Sequence, residues 1–189
     1  VQLTLPVLHR PTREELEQAR SRTLPDVLGP GLNVLLVGIN PGLYSAAIGH
    51  NFGRPGNRFW KVLALSGFTP RVLAPDEENE LPRHGLGLTN LVARATARAE
   101  ELAQEELSLG AARLTEVVRE HAPKVVAVLG VTAYRTAFVR PKAQLGLQVD
   151  EIARAKLWVL PNPSGLNAHH QLPQLAELFT ELRVFASTL

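Results

Sequence analysis

Three runs of apolar residues, Asn33–Ile39 (NVLLVGI), Lys124–Gly130 (KVVAVLG) and Lys156–Leu160 (KLWVL), are continuous rather than alternating. That is the pattern of strands covered on both faces. Gly85–Leu91 (GLGLTNL) is a shorter strand that leaves toward a loop. Between these runs the apolar positions change to helical spacing. Phe59, Val62 and Leu63 mark a helix within 57–68 that ends at Gly67, and Leu114, Val117 and Val118 mark one within 111–121 that Pro123 stops. A short helix is predicted over 133–138 and an amphipathic one over 172–185. Thr12-Arg13-Glu14-Glu15 reads as the start of a leading helix running to about Arg22, because Thr caps and the acids favour the first turn. The stretch 70–81 is acidic and irregular.

Buried strands alternating with helices predict an α/β fold: a single domain with a central, mostly parallel sheet flanked by helices on both faces. Its expected span is 29–189, with 1–28 as an N-terminal extension. Sheets of this kind bind ligands beyond the carboxyl ends of their strands. Two loops lie there, Asn40-Pro41-Gly42 and Pro161-Asn162-Pro163-Ser164-Gly165-Leu166-Asn167.

Composition narrows the chemistry. The 189 residues contain no Cys, which excludes disulfides, thiolate nucleophiles, Cys-ligated zinc and iron–sulfur clusters. Lys and Arg number 20 against 18 Asp and Glu, a net charge of +2; the acidic excess lies in 61–120 and the basic residues, mostly Arg, gather elsewhere. Such a balance permits a local phosphate-facing patch but does not by itself indicate nucleic acid. No apolar run approaches the ~20 residues of a membrane span, and no secretory leader is visible. The absence of Met at the start reads as trimming. A cytoplasmic protein is expected.

The two loops have plain and functional readings. Asn-Pro-Gly is often only a turn; equally, Asn40 at the end of a buried strand, before a stiff Pro and a permissive Gly, is held where it can align a polar partner. Leu166 in a polar loop either tucks into the core or enters a base stack as a wedge. Phe52, among His50, Asn51, Gly53 and Arg54, either packs in the core or offers a ring face to a ligand.

The segments GINPGLYSAAIGHNFGRPGNRFWKVLALSGF (38–68) and LPNPSGLN (160–167), with GLGLTNLV (85–92), resemble the mismatch-specific uracil-DNA glycosylase and thymine-DNA glycosylase family, within the uracil-DNA glycosylase superfamily. The similarity extends from about Gly29 to Phe185. It implies hydrolysis of the bond joining a damaged or mispaired base to deoxyribose after the nucleotide has flipped out of the duplex. By this resemblance Asn40 positions the attacking water, and a neutral amide can align but not take up a proton, so a slow enzyme is expected. Ile39 and the following loop would line a pocket whose backbone N–H groups stabilise the departing base. Phe52 would stack on that base. Gly42 stands where stringently uracil-specific relatives carry a bulky aromatic, which implies room for a 5-methyl group. Asn90 and Asn162 would be polar pocket residues.

The resemblance also implies that Gly165, Leu166 and Asn167 enter the duplex, with backbone groups of Gly165 and Asn167 reading the widowed guanine. Ser45, Arg58, Lys61 and Ser164 are candidates for phosphate contacts. Ala93 departs from the family, which usually has an acid there, and marks a natural or engineered loss of a catalytic carboxylate. The expected partner is double-stranded DNA bearing a mismatched or damaged base, met by a monomer associated with the nucleoid. No cofactor and no metal are expected: His169 and His170 are adjacent, point apart on an extended segment, and have no carboxylate cluster beside them. Two other readings compete. A nucleotide-binding α/β hydrolase lacks support, since neither GxGxxG nor GxxxxGK[ST] occurs. A mismatch-DNA binding protein with little turnover is kept open by Ala93.

Overall fold

The computed structural model describes residues 9–189; residues 1–8 of the N-terminal extension lie outside the described residues. Five strands, β1 (Val34–Gly38), β2 (Leu86–Asn90), β3 (Val125–Leu129), β4 (Gly146–Ile152) and β5 (Ala155–Leu160), form one sheet in the order β2-β1-β3-β5-β4. The first four in that order are parallel and β4 runs antiparallel to β5. The α/β architecture with a mostly parallel sheet therefore stands as expected.

Among the described residues six α-helices accompany the strands: α1 (Arg13–Gln18), α2 (Leu43–Ile48), α3 (Phe59–Leu65), α4 (Gln104–His121), α5 (Val131–Ala137) and α6 (Leu172–Ser187). The strand alternation sorts the core into two layers. Val34, Leu36, Val125, Ala127 and Leu129 pack on α3 and α6 through Phe59, Leu63, Phe179 and Leu182. Leu35, Val37, Val126 and Val128 face the other way, toward Leu114 and Val118 of α4 and Tyr134 of α5. Both faces are thus covered by helices, which is why β1 and β3 are buried along their whole length.

Three elements differ from the sequence reading. Strand β4 was not predicted: as an edge strand it alternates half-exposed and exposed positions, so its residues carry no continuous apolar signal. Helix α4 begins at Gln104, seven residues before the expected Ala111, because Gly110 does not interrupt it; a Cβ at Gly110 would stand 2.2 Å from the Leu91 carbonyl oxygen. Glycine lets α4 approach the backbone after β2. The acidic stretch forms a 3-10 run over Pro75–His84 that buries Glu78 and Leu81.

The leading helix has the predicted cap, with Thr12 Oγ1 accepting from Glu15 N–H and the Glu15 carboxylate accepting from Thr12 N–H, but it ends at Gln18. Beyond it, Val27 and Leu88 exchange two backbone bonds of 2.8 Å, and Ser21 and Arg22 bond to Ala95. Among the described residues no helix is long and apolar enough to cross a membrane.

Candidate active site

The parallel strands end together at Gly38, Asn90, Leu129 and Leu160, so the loops that follow them converge on one edge of the sheet. Between these loops lies a cleft of about 590 Å³. Ile39, Asn40, Gly42, Ser45, Phe52, Asn90, Asn162, Ser164, Leu166 and Asn167 line it; Arg58, Lys61, Ala93 and Gly165 do not.

Asn40 is fixed in both position and polarity. Its Nδ2 donates to the Arg94 carbonyl at 3.0 Å and to Thr96 Oγ1 at 2.8 Å. Thr96 can only accept here, because its own hydroxyl proton goes to the Arg98 carbonyl at 2.7 Å. Both amide protons are therefore spent on protein, and Oδ1 is the atom left to accept from a ligand or water. The loops that hold this arrangement are joined by Thr96 N–H to the Pro41 carbonyl. Arg94 is in turn tied to Glu106, at 2.6 Å. The Arg94 guanidinium and the Ala103 N–H hold the Glu106 carboxyl down at about 2, against an ordinary 4.5.

Phe52 holds φ at 51°, a left-handed conformation that a bulky residue adopts only when its surroundings impose it. Its neighbours do so: Asn51 N–H donates to Glu78, and Gly53 N–H donates to Ser45 Oγ. One face of the Phe52 ring stacks on Phe59, centroids 3.9 Å apart and 15° from parallel. Phe59 is wholly buried, so Phe52 combines core packing on one side with a border on the cleft. Ser45, expected at phosphate, is instead buried and committed to this turn.

The floor beside Phe52 is polar. Asn90 Nδ2 donates to Asn51 Oδ1 at 3.1 Å, and Asn51 Nδ2 donates to Glu78 Oε2 at 3.0 Å. His50 Nδ1 lies 3.1 Å from the other Glu78 oxygen. Arg113 on α4 grips the Asn90 carbonyl at 2.7 Å.

The second loop is folded on itself by Arg58. That guanidinium, expected on phosphate, donates instead to the carbonyls of Pro163, Ser164, Asn167 and His170. It is the fork that shapes the loop. Asn167 is equally committed: its N–H goes to the Ser164 carbonyl, its Nδ2 to the Asn162 carbonyl, and its Oδ1 accepts from His169 N–H. Both backbone groups of Asn167, expected to read a guanine, thus have partners within the protein: the N–H the Ser164 carbonyl and the carbonyl the Arg58 guanidinium. Asn162 Oδ1 accepts from Ser164 N–H at 3.0 Å, which orients the Asn162 amide within the cleft wall. Leu166 stands 77% exposed at the loop's apex, so it does not tuck into the core.

Gly42 is exposed, and a Cβ there would meet nothing within 4 Å. Lys61 is exposed on α3 away from the cleft lining. Ala93 is exposed, one residue before the carbonyl that Asn40 holds. Among the described residues no group of three or more His, Asp or Glu is arranged to hold a metal ion. Thr96 and Asn51 line the cleft and were missed by the sequence reading, as were Arg54 and Arg98 on the rim and Glu78, which stands behind Asn51. Asn51 adjoins Phe52 in a quoted motif and was within reach; nothing in PDEENE distinguishes Glu78 from its acidic neighbours.

A family model described as the Uracil DNA glycosylase superfamily matches residues 25–183. Among solved structures, a solution NMR structure from Methanosarcina acetivorans with a provisional uracil DNA glycosylase assignment is similar at a TM-score of 0.58 and 19% identity. The match covers 86% of this chain and 98% of that one. At that identity the likeness speaks for the fold, a single α/β domain with the same kind of central sheet.

Proposed function

The chain belongs to the uracil DNA glycosylase superfamily, and on that premise we propose that its cleft hydrolyses the N-glycosidic bond of uracil mispaired with guanine in duplex DNA. The observation that carries this reading is that Asn40 Oδ1, freed by the polarity lock at Thr96, and the Phe52 ring border one cleft. A base extruded into it stacks on Phe52, and Asn40 accepts a hydrogen bond from the water that attacks C1′. The C1′–N1 bond breaks with its electron pair leaving on the base, the water oxygen bonds to C1′ and gives up one proton to solvent, solvent in turn protonates the base anion, and an abasic site remains.

Asn40 supplies aim rather than basicity, so most of the barrier is lowered by stabilising the departing base. Weakly paired bases flip at lower cost, which favours G·U and G·T over intact pairs. Asn90 and Asn162 supply polar contacts to the base. Open space at Gly42 admits a 5-methyl group or an exocyclic cytosine adduct, and a single methyl is worth only ~1–3 kcal/mol of discrimination. Leu166 fills the gap left in the stack. Lys61 and Ser164, with Arg54 on the rim, are the remaining candidates for phosphate. The chain acts as a monomer in the cytoplasm.

The test is incubation of matched duplexes carrying U·G, T·G, an exocyclic cytosine adduct opposite G, and U·A, followed by alkaline scission. Abasic product from U·G ahead of U·A supports the reading; no product from any of them overturns it.

A second reading, a mismatch-DNA binder with little turnover, is favoured by Ala93 alone. Ala93 itself stands outside the cleft lining, next to the Arg94 carbonyl that Asn40 grips, so an acid there acts as a proton acceptor only if its longer side chain reaches the cleft, where general base catalysis contributes roughly 10²–10⁴-fold. Ala93→Asp is expected to raise the excision rate; equal rates remove catalytic meaning from the position.

A further inference from the structure

Glu78 is 4% exposed, lies outside the cleft lining, and comes from a 3-10 run that the proposed reaction does not use. Its Oε2 receives two N–H groups of Asn51, the backbone N–H and Nδ2, both at 3.0 Å. Because a backbone N–H can only donate, this oxygen is an acceptor whatever else surrounds it. Turning the Asn51 amide over would set Oδ1 against Oε2, acceptor to acceptor, in a buried site. Asn51 is therefore held with Oδ1 toward Asn90. Asn90 must then present Nδ2 to Asn51, at 3.1 Å, and its own Oδ1 elsewhere.

That oxygen points over the end of β1. A Cβ at Gly38 would stand 2.4 Å from Asn90 Oδ1 and 3.4 Å from Phe52 Cζ, so the carbonyl of this side chain lies beside the Phe52 ring edge at the base of the cleft. Asn51 and Asn90 are both buried, and the backbone carbonyl of Asn90 is pinned by Arg113.

We infer that Glu78 is a positioning residue for base selection: acting through Asn51, it locks the Asn90 amide so that Oδ1 is a fixed hydrogen-bond acceptor in the base pocket. This rests on the reading of the cleft as a base pocket. Uracil and thymine carry a donor at N3 and an acceptor at O4; cytosine carries an acceptor at N3 and a donor at N4. A fixed Oδ1 accepts from N3–H of the first two and meets cytosine N3 lone pair to lone pair. An amide free to turn would accommodate either edge. The discrimination is thus set by a carboxylate that never touches the base.

The test compares Glu78→Gln, which keeps an acceptor oxygen for Asn51, with Glu78→Leu, which has none. Should Glu78→Leu fail to fold, Asn51→Leu cuts the relay at its middle instead, leaving Glu78 to accept from the backbone N–H of residue 51. Two readouts are taken on each folded variant. In the free protein, the side-chain NH₂ signals of Asn90 are followed by NMR hydrogen exchange; strong protection in wild type and Glu78→Gln, lost when the relay is removed, supports the lock. With duplexes carrying U·G and C·G, the ratio of uracil to cytosine excision is expected to hold in Glu78→Gln and to fall about tenfold to a hundredfold in the relay-less variant.

Unchanged protection together with an unchanged ratio in the relay-less variant overturns the inference. A wild type that excises no uracil overturns the base-pocket reading instead, and the exchange measurement on free protein still decides the lock.

Discussion

Asn40 and Thr96, 56 positions apart in the chain, meet at 2.8 Å in a hydrogen bond whose direction is set by a third residue. Thr96 gives its proton to the Arg98 carbonyl and so accepts from Asn40. The amide of Asn40 cannot invert without placing its oxygen against the Arg94 carbonyl. A neutral side chain has thereby become a directional acceptor at the carboxyl end of β1.

Removing that acceptor while keeping the shape isolates its effect. Thr96→Val leaves Asn40 tethered only to Arg94, and a small misplacement of a positioning group costs up to about 10²-fold in rate. Single-turnover excision on U·G duplex is expected to slow by about tenfold or more with KM little changed, and Thr96→Ser to restore it. Equal slowing by the Ser variant would mean that the methyl group, not the hydroxyl, matters.

The loop bearing Leu166 depends on Arg58 for its shape and on nothing comparable for its apex. Lys cannot reproduce a fork that reaches four carbonyls. Arg58→Lys and Leu166→Ala are both expected to depress action on duplex DNA far more than on single strands, since a wedge matters only where a stack must be held open. The ratio of the two activities is the measurement; an unchanged ratio in Leu166→Ala removes the wedge.

The sheet was legible because its inner strands are covered on both faces and so read as unbroken apolar runs; β4, half wet at the edge, had no such signal. The Asn40 and 161–167 loops were picked out by their place after buried strands, and Asn40 and Phe52 were given roles by motif resemblance; the structure brings Asn40 and Phe52 to one cleft. Ser45 and Arg58, expected at phosphate, turn to the protein's own backbone for one reason. A polar residue inside a motif can serve the loop's own backbone as readily as a ligand, and sequence spacing does not distinguish the two. Thr96 and Glu78 were invisible because their importance lies in which atom each neighbour leaves free.

Acid should loosen the Asn40 anchorage from behind. The folded-state carboxyl of Glu106 sits at about 2, below its ordinary 4.5, because it is bonded to Arg94 and to the Ala103 N–H. A depressed carboxylate contributes stability that is complete above its unfolded value and is lost as pH falls through the folded one. Thermal melts of wild type and Glu106→Gln are expected to differ at about pH 6 and to converge as pH approaches about 2. A constant difference across that range would show that the charge of Glu106 is not what holds Arg94.

The most direct test is a paired measurement on wild type and Asn40→Ala: affinity for a U·G duplex, and the single-turnover rate at which alkali-labile sites form. If Asn40 aims the nucleophile, the variant keeps the wild-type Kd and forms abasic product at least about a hundredfold more slowly. Excision by Asn40→Ala at the wild-type rate would contradict the account.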